Sequence, residues 1–72
     1  MSGRPLKHSL TLKGHRTSVS LEAEFWEAFQ GLAIERGLSV NELAAEVDAG
    51  RTGDVGLASA IRVFVLRALT RR

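Results

Sequence analysis

The chain of 72 residues has no cysteine, a single proline, two histidines and no apolar run longer than Val63 to Leu66. The absence of cysteine excludes disulfides. His8 and His15 have no thiol or nearby carboxylate to complete a tetrahedral site, so no metal or cofactor is expected. A monomer of this size buries too little surface to be comfortably stable without disulfides, a bound metal or a partner subunit. Association with a second copy is therefore the expected source of stability.

Other absences exclude whole classes of protein. A membrane span needs about 18 apolar residues, and the N-terminus lacks the apolar core of a signal peptide, so a cytoplasmic protein without a membrane partner is expected. The sequence has no G-x-x-x-x-G-K, G-x-S-x-G or H-E-x-x-H motif. We therefore expect no catalytic residues and no enzymatic activity.

The charges are unevenly distributed, although the formal net charge is only +2. Residues 1–21 contain basic side chains but no acidic one, whereas residues 22–48 contain seven acids and only Arg36 as a base. A polyanion should therefore meet the N-terminal segment, because the central segment would repel it. The same distribution is also typical of a solubilising basic tail.

The N-terminal third is predicted to be extended. Residues 1–6 are predicted to form a mobile basic arm, and residues 7–72 a single domain. Period-two alternation indicates strands at about 8–12 and 16–21. Gly14 allows a tight hairpin between them, and a single long strand kinked at Gly14 fits the same residues.

The rest of the chain has helical periodicity, with helices predicted at about 22–36, 39–49 and 57–69. Gly37 is a suitable C-terminal residue for the first helix. Ser39 and Glu42 form a capping-box pattern that starts the second helix at Ser39. The third helix is apolar on most sides, which a small monomer can hardly cover, and this again favours a dimer.

The second predicted strand carries the main candidate site. Alternation places Thr17, Val19 and Leu21 toward the helices and Arg16, Ser18 and Ser20 on the opposite face. Arginine can pair with guanine O6 and N7, and serine can donate or accept at base edges. The same three residues could also form an ordinary solvated face.

The start of the second helix is a separate candidate. The amides of Val40 and Asn41 lie at the positive end of the helix dipole and can hold a phosphate, with the Asn41 side chain as a further donor. Most capping boxes are only structural, and Glu42 would weaken anion binding there.

These motifs, in this order, resemble the ribbon-helix-helix family of DNA-binding proteins. The runs R-T-S-V-S-L, E-R-G-L-S and S-V-N-E-L carry the resemblance over about residues 15–49. The runs H-R-T-S-V-S-L-E, with F-W in the first helix, and L-A-S-A-I-R-V-F-V-L are similar to a little-characterised bacterial subfamily and extend it to residue 69.

The resemblance implies a mainly α fold with a short N-terminal β element, an intertwined homodimer and an extra C-terminal helix. It implies a transcriptional regulator that reads the major groove of double-stranded DNA, with further assembly on DNA left open. Base contacts map onto Arg16, Ser18 and Ser20. Phosphate contacts map onto Ser39, Val40 and Asn41, and the basic residues Lys7 and Lys13 are expected to add to them.

The strand at 8–12 is a departure from the family pattern and leaves two alternatives open. If it flanks the ribbon, the DNA-reading face remains available. If it covers the ribbon, the domain would serve as a protein-protein interaction module with the same dimeric fold.

Overall fold

The computed structural model describes residues 3–71 and contains a two-stranded sheet followed by three helices. Its elements are β1 (Leu6–Leu12), β2 (His15–Leu21), α1 (Ala23–Glu35), α2 (Val40–Ala49) and α3 (Leu57–Thr70). Residues 1 and 2 of the predicted arm, and residue 72, lie outside the described part. The first strand begins at Leu6, two residues before the predicted start.

The two strands form a tight antiparallel hairpin. They do not form the single long strand kinked at Gly14 that the sequence also allowed. Lys13 and Gly14 form the turn with φ angles of 50° and 86°. Two consecutive positive φ angles are those of a type I′ turn, whose twist matches that of the strands it joins. The register runs from the pair Leu12–His15 beside the turn to the pair Leu6–Leu21 at the open end.

Helix α1 ends where the sequence predicts, at a left-handed glycine. Gly37 has a φ of 69°. The Gly37 amide donates to the Ile34 carbonyl, and the Leu38 amide donates to the Ala33 carbonyl. These two bonds form a Schellman motif, which satisfies carbonyls that the helix end leaves without partners.

Helix α2 begins with the predicted capping box. The Ser39 hydroxyl accepts from the Glu42 amide at 3.0 Å, and the Glu42 carboxylate accepts from the Ser39 amide at 2.8 Å. The helix ends at Gly50, which leads into the predicted loop. Arg51 orders this loop, because its guanidinium bonds both the Asp48 carboxylate and the Val55 carbonyl at 2.8 Å.

One apolar core joins the hairpin to the helices, and no polar side chain among the described residues is fully buried. At its centre the Phe29 ring meets Phe64 edge-on at 6.1 Å. On the β1 side, the His8 ring stacks on Trp26 at 4.0 Å and 7°. The buried residues are Leu10, Leu12, Val19, Leu21, Phe29, Leu32, Ala33, Leu43, Ala44, Ile61 and Val65.

Helix α3 covers this core with only part of its surface. Ile61 and Val65 are buried, whereas Leu66 is 60% exposed and Leu69 is 44% exposed. The predicted excess of apolar surface on this helix is therefore present in the folded chain. None of the helices in residues 3–71 has the length and apolar character that spanning a membrane would require.

Candidate nucleic-acid interface

The register divides the hairpin into two faces, because side chains of paired residues point to the same side of a sheet. One face packs on the helices through residues such as Leu10 and Val19. The other, which we call the outer face, is formed by the pairs Lys7–Ser20, Ser9–Ser18 and Thr11–Arg16, and all six residues are exposed. Lys7 and Arg16 are its only charged residues, so the outer face is basic and otherwise hydroxylated.

The structure places the three predicted base-reading residues together on this face. Arg16, Ser18 and Ser20 alternate along β2, with side chains directed away from the core. Val19 and Leu21 are buried, as alternation predicts. Thr17 lies on their face but is exposed, which departs from the expectation, although its partner Leu10 is buried.

Strand β1 lies beside β2 and leaves the outer face uncovered. The two strands are hydrogen-bonded neighbours in one sheet. The structure therefore has the arrangement in which the first strand flanks the ribbon, and not the one in which it covers the ribbon.

The second edge of β2 carries no strand among the described residues. In a hairpin with a two-residue turn, the pair flanking the turn is hydrogen-bonded, and every second pair after it is too. The N–H and C=O groups of Arg16, Ser18 and Ser20 consequently point away from β1. This edge can accept another strand, and it lies directly beside the outer face.

Arg62 of α3 holds one end of this edge in place. Its Nη2 donates to the Ser20 carbonyl at 3.3 Å, and its Nε donates to the Glu22 carboxylate at 3.0 Å. The Glu22 backbone N–H and the Arg62 guanidinium both lower the pKa of Glu22. Because Glu22 is the N-cap residue of α1, this network fixes the end of β2 against α1 and α3.

The N-terminus of α2 adjoins the other edge of the hairpin. The Thr11 amide, which points outward from β1, donates to Asn41 Oδ1 at 3.0 Å. The Asn41 side chain, predicted as a phosphate donor, thus uses its oxygen to hold β1 and keeps its NH₂ group for other partners. The helix start and the outer face are thereby joined into one surface.

The first turn of α2 has donors available for an anion. The capping box engages the Glu42 amide, while the amides of Val40 and Asn41 have no acceptor within residues 3–71. Ser39 accepts through its oxygen and has a single hydroxyl hydrogen, for which the Glu42 carboxylate and an anion would compete. Bonds from the Ser39 amide and hydroxyl lower the pKa of Glu42, so this carboxylate is ionised at neutral pH and opposes an anion at the same place.

The two predicted phosphate-binding lysines lie around the outer face. Lys7 lies on it, opposite Ser20, and Lys13 is exposed at the first position of the turn. No acidic residue occurs between residues 1 and 21, so the hairpin contributes only positive charge.

The sequence interpretation did not identify three residues of this surface. Ser9 and Thr11 share the outer face with Arg16, which follows from alternation once the two-residue turn fixes the register. Arg62 contacts residues 40 and 42 positions earlier in the chain. No local pattern could have indicated that contact.

A comparison with family models gives one finding. The model described as a ribbon-helix-helix domain matches residues 5–69, which includes both strands and nearly all of the three helices. No curated protein and no solved structure matches the chain significantly.

Proposed function

This chain belongs to the ribbon-helix-helix family, and from that premise we propose that it binds double-stranded DNA as a homodimer and regulates transcription sequence-specifically. Domains of this family are typically DNA-binding regulators without enzymatic activity. The observation that carries the proposal is the outer face: six exposed residues, two of them basic, on a two-stranded element beside an unpaired edge. In the dimer proposed below, β2 and its copy form a two-stranded antiparallel ribbon, and such a ribbon fits the major groove.

The proposed dimer forms by antiparallel pairing of β2 with its copy. The outward N–H and C=O groups of β2 support this arrangement: apart from the Ser20 carbonyl, which accepts from Arg62, they form an edge without a paired strand, and such an edge is a template for another strand. A stripe of α3 begins at Arg62, which contacts that edge, and continues through Leu66 and Leu69 at spacings of four and three residues. A second copy on the β2 edge would cover apolar surface that the single chain leaves exposed.

In this dimer the base contacts come from Arg16, Ser18 and Ser20 of both chains. Arg16 carries most of the discrimination, because its planar guanidinium can bond guanine O6 and N7 simultaneously. The serines are short and add weaker contacts to base edges.

The proposed phosphate contacts come from the start of α2 and from the lysines. Val40 and Asn41 offer backbone amides, Ser39 a hydroxyl and Asn41 its side-chain NH₂ group. Lys7 and Lys13 add long-range attraction that salt weakens. These contacts fix the position of the protein on the duplex and carry no sequence information.

The alternative function, a protein-interaction module, was motivated by a β1 strand lying over the ribbon. Because β1 lies beside β2 and the outer face is exposed, the specific reason for that alternative is absent from the folded chain. We therefore retain DNA binding as the proposal.

A titration of mixed-sequence duplex at low and moderate salt tests it, with Lys13→Asn as the variant. Asparagine is well suited to a positive φ followed by glycine, so the turn should remain intact while its charge is removed. We expect the unmodified protein to bind, with log K falling linearly with log salt, and the variant to have a shallower slope by about one per lysine contact. Absence of binding at low salt by a dimeric, folded protein would refute the proposal.

A further inference from the structure

We propose that β1 supplies a second row of DNA contacts, in which the hydroxyls of Ser9 and Thr11 donate to the phosphates that border the groove. This inference rests on the proposed function. It assigns a role to β1, which contributes none of the proposed base contacts.

The hairpin register places these hydroxyls on the outer face. Ser9 lies directly opposite Ser18, and Thr11 lies opposite Arg16. Both are exposed, and neither hydroxyl has a hydrogen-bond partner within residues 3–71. The bond from the Thr11 amide to Asn41 holds the strand at this position, so the hydroxyls are presented from a fixed backbone.

The spacing of strands decides which part of DNA each row meets. Neighbouring strands lie about 4.8 Å apart, so in a dimer paired through β2, each β2 lies about 2.4 Å from the twofold axis and each β1 about 7 Å from it. The major groove is about 12 Å wide, which gives a half-width of about 6 Å. The β2 side chains therefore face base edges, whereas the β1 side chains face the walls of the groove, where the phosphates lie.

The chemistry of the second row agrees with this position. Serine and threonine hydroxyls are common donors to phosphate oxygens, and such contacts position a protein without reading sequence. Because the two hydroxyls are neutral, their removal should leave the salt dependence of binding unchanged, unlike the removal of Lys7 or Lys13.

The double variant Ser9→Ala/Thr11→Val tests the inference, with Thr17→Val as the matched control. Thr17 is also an exposed hydroxyl of the hairpin, but it lies on the opposite face. Affinity for a selected duplex and for a scrambled duplex is measured by fluorescence titration at one salt concentration. Thermal unfolding of each variant is monitored by circular dichroism.

We expect the double variant to bind both duplexes at least about 30-fold more weakly, since four hydrogen bonds from uncharged donors to phosphates are lost per dimer, and to keep the ratio between the two affinities. The control should bind as the unmodified protein does. Equal affinities for the double variant and the control, or a changed preference between duplexes, would overturn the inference while leaving the proposed function intact. Failure of the unmodified protein to bind either duplex would instead overturn the proposed function.

Discussion

Replacing Arg16 with alanine is expected to weaken binding to a selected duplex by at least about 30-fold and to remove the preference at one base pair of each half-site. A bidentate contact contributes about 1–3 kcal/mol of discrimination, and the dimer makes it twice. Binding to a scrambled duplex should weaken much less, because only the charge of Arg16 contributes there. The measurement is a titration of the selected duplex and of duplexes with single base-pair changes.

The matched control for this result is Arg16→Lys. Lysine keeps the positive charge on the outer face, but it lacks the planar guanidinium whose N–H groups can bond O6 and N7 of guanine at the same time. The salt slope should therefore stay close to that of the unmodified protein, while the base preference is weakened but not abolished, because an ammonium group can also donate to O6 and N7. If Arg16→Ala left both affinity and preference unchanged, the outer face could not be the reading surface.

Replacing Ser18 with proline is expected to disrupt the dimer, to leave a chain that is less stable than the unmodified protein, and to abolish DNA binding. The Ser18 amide points to the unpaired edge of β2 and takes no part in the hairpin, and proline is tolerated on edge strands at such positions. It removes a donor from the middle of the proposed β2 pairing and places a ring there. Light scattering measures the mass, and circular dichroism measures how much helix the dissociated chain keeps.

Ser9→Pro is the matched control for the oligomeric state. Ser9 lies opposite Ser18 in the hairpin, but its amide points to the far edge of β1. We expect this variant to remain dimeric. Loss of the dimer in both variants, or in neither, would contradict pairing through β2.

Local signals in the sequence predicted much of the fold. The capping box at Ser39 and Glu42 and the left-handed position of Gly37 are short-range features, and both are confirmed. Alternation along β2 likewise predicted that Val19 and Leu21 are buried. Such features depend on residues only a few positions apart, so they can be recognised without a tertiary structure.

The choice between a hairpin and a kinked strand could not be made from the sequence. Type I′ turns favour asparagine or aspartate before glycine, and this turn has Lys13 at a φ of 50°. The sequence thus lacked the strongest hairpin signal, and the contacts of β1 with the helices are long-range features that no local pattern indicates. The stack of His8 on Trp26 is one such contact.

The candidate site was predicted in part. Alternation identified Arg16, Ser18 and Ser20, and their placement on an exposed face agrees with it. The links from Thr11 to Asn41 and from Ser20 to Arg62 span 30 and 42 residues, so only the folded chain brings them together. Contact of any of these residues with DNA stays a prediction.

The stoichiometry of the complex with a duplex selected from a random pool tests the central claim most directly. Light scattering of the purified complex should give the mass of one duplex plus two chains, and the selected sequences should share a twofold-symmetric pattern. A complex with one chain per duplex, or a pool in which no sequence is enriched, would contradict a dimer that reads the major groove through β2.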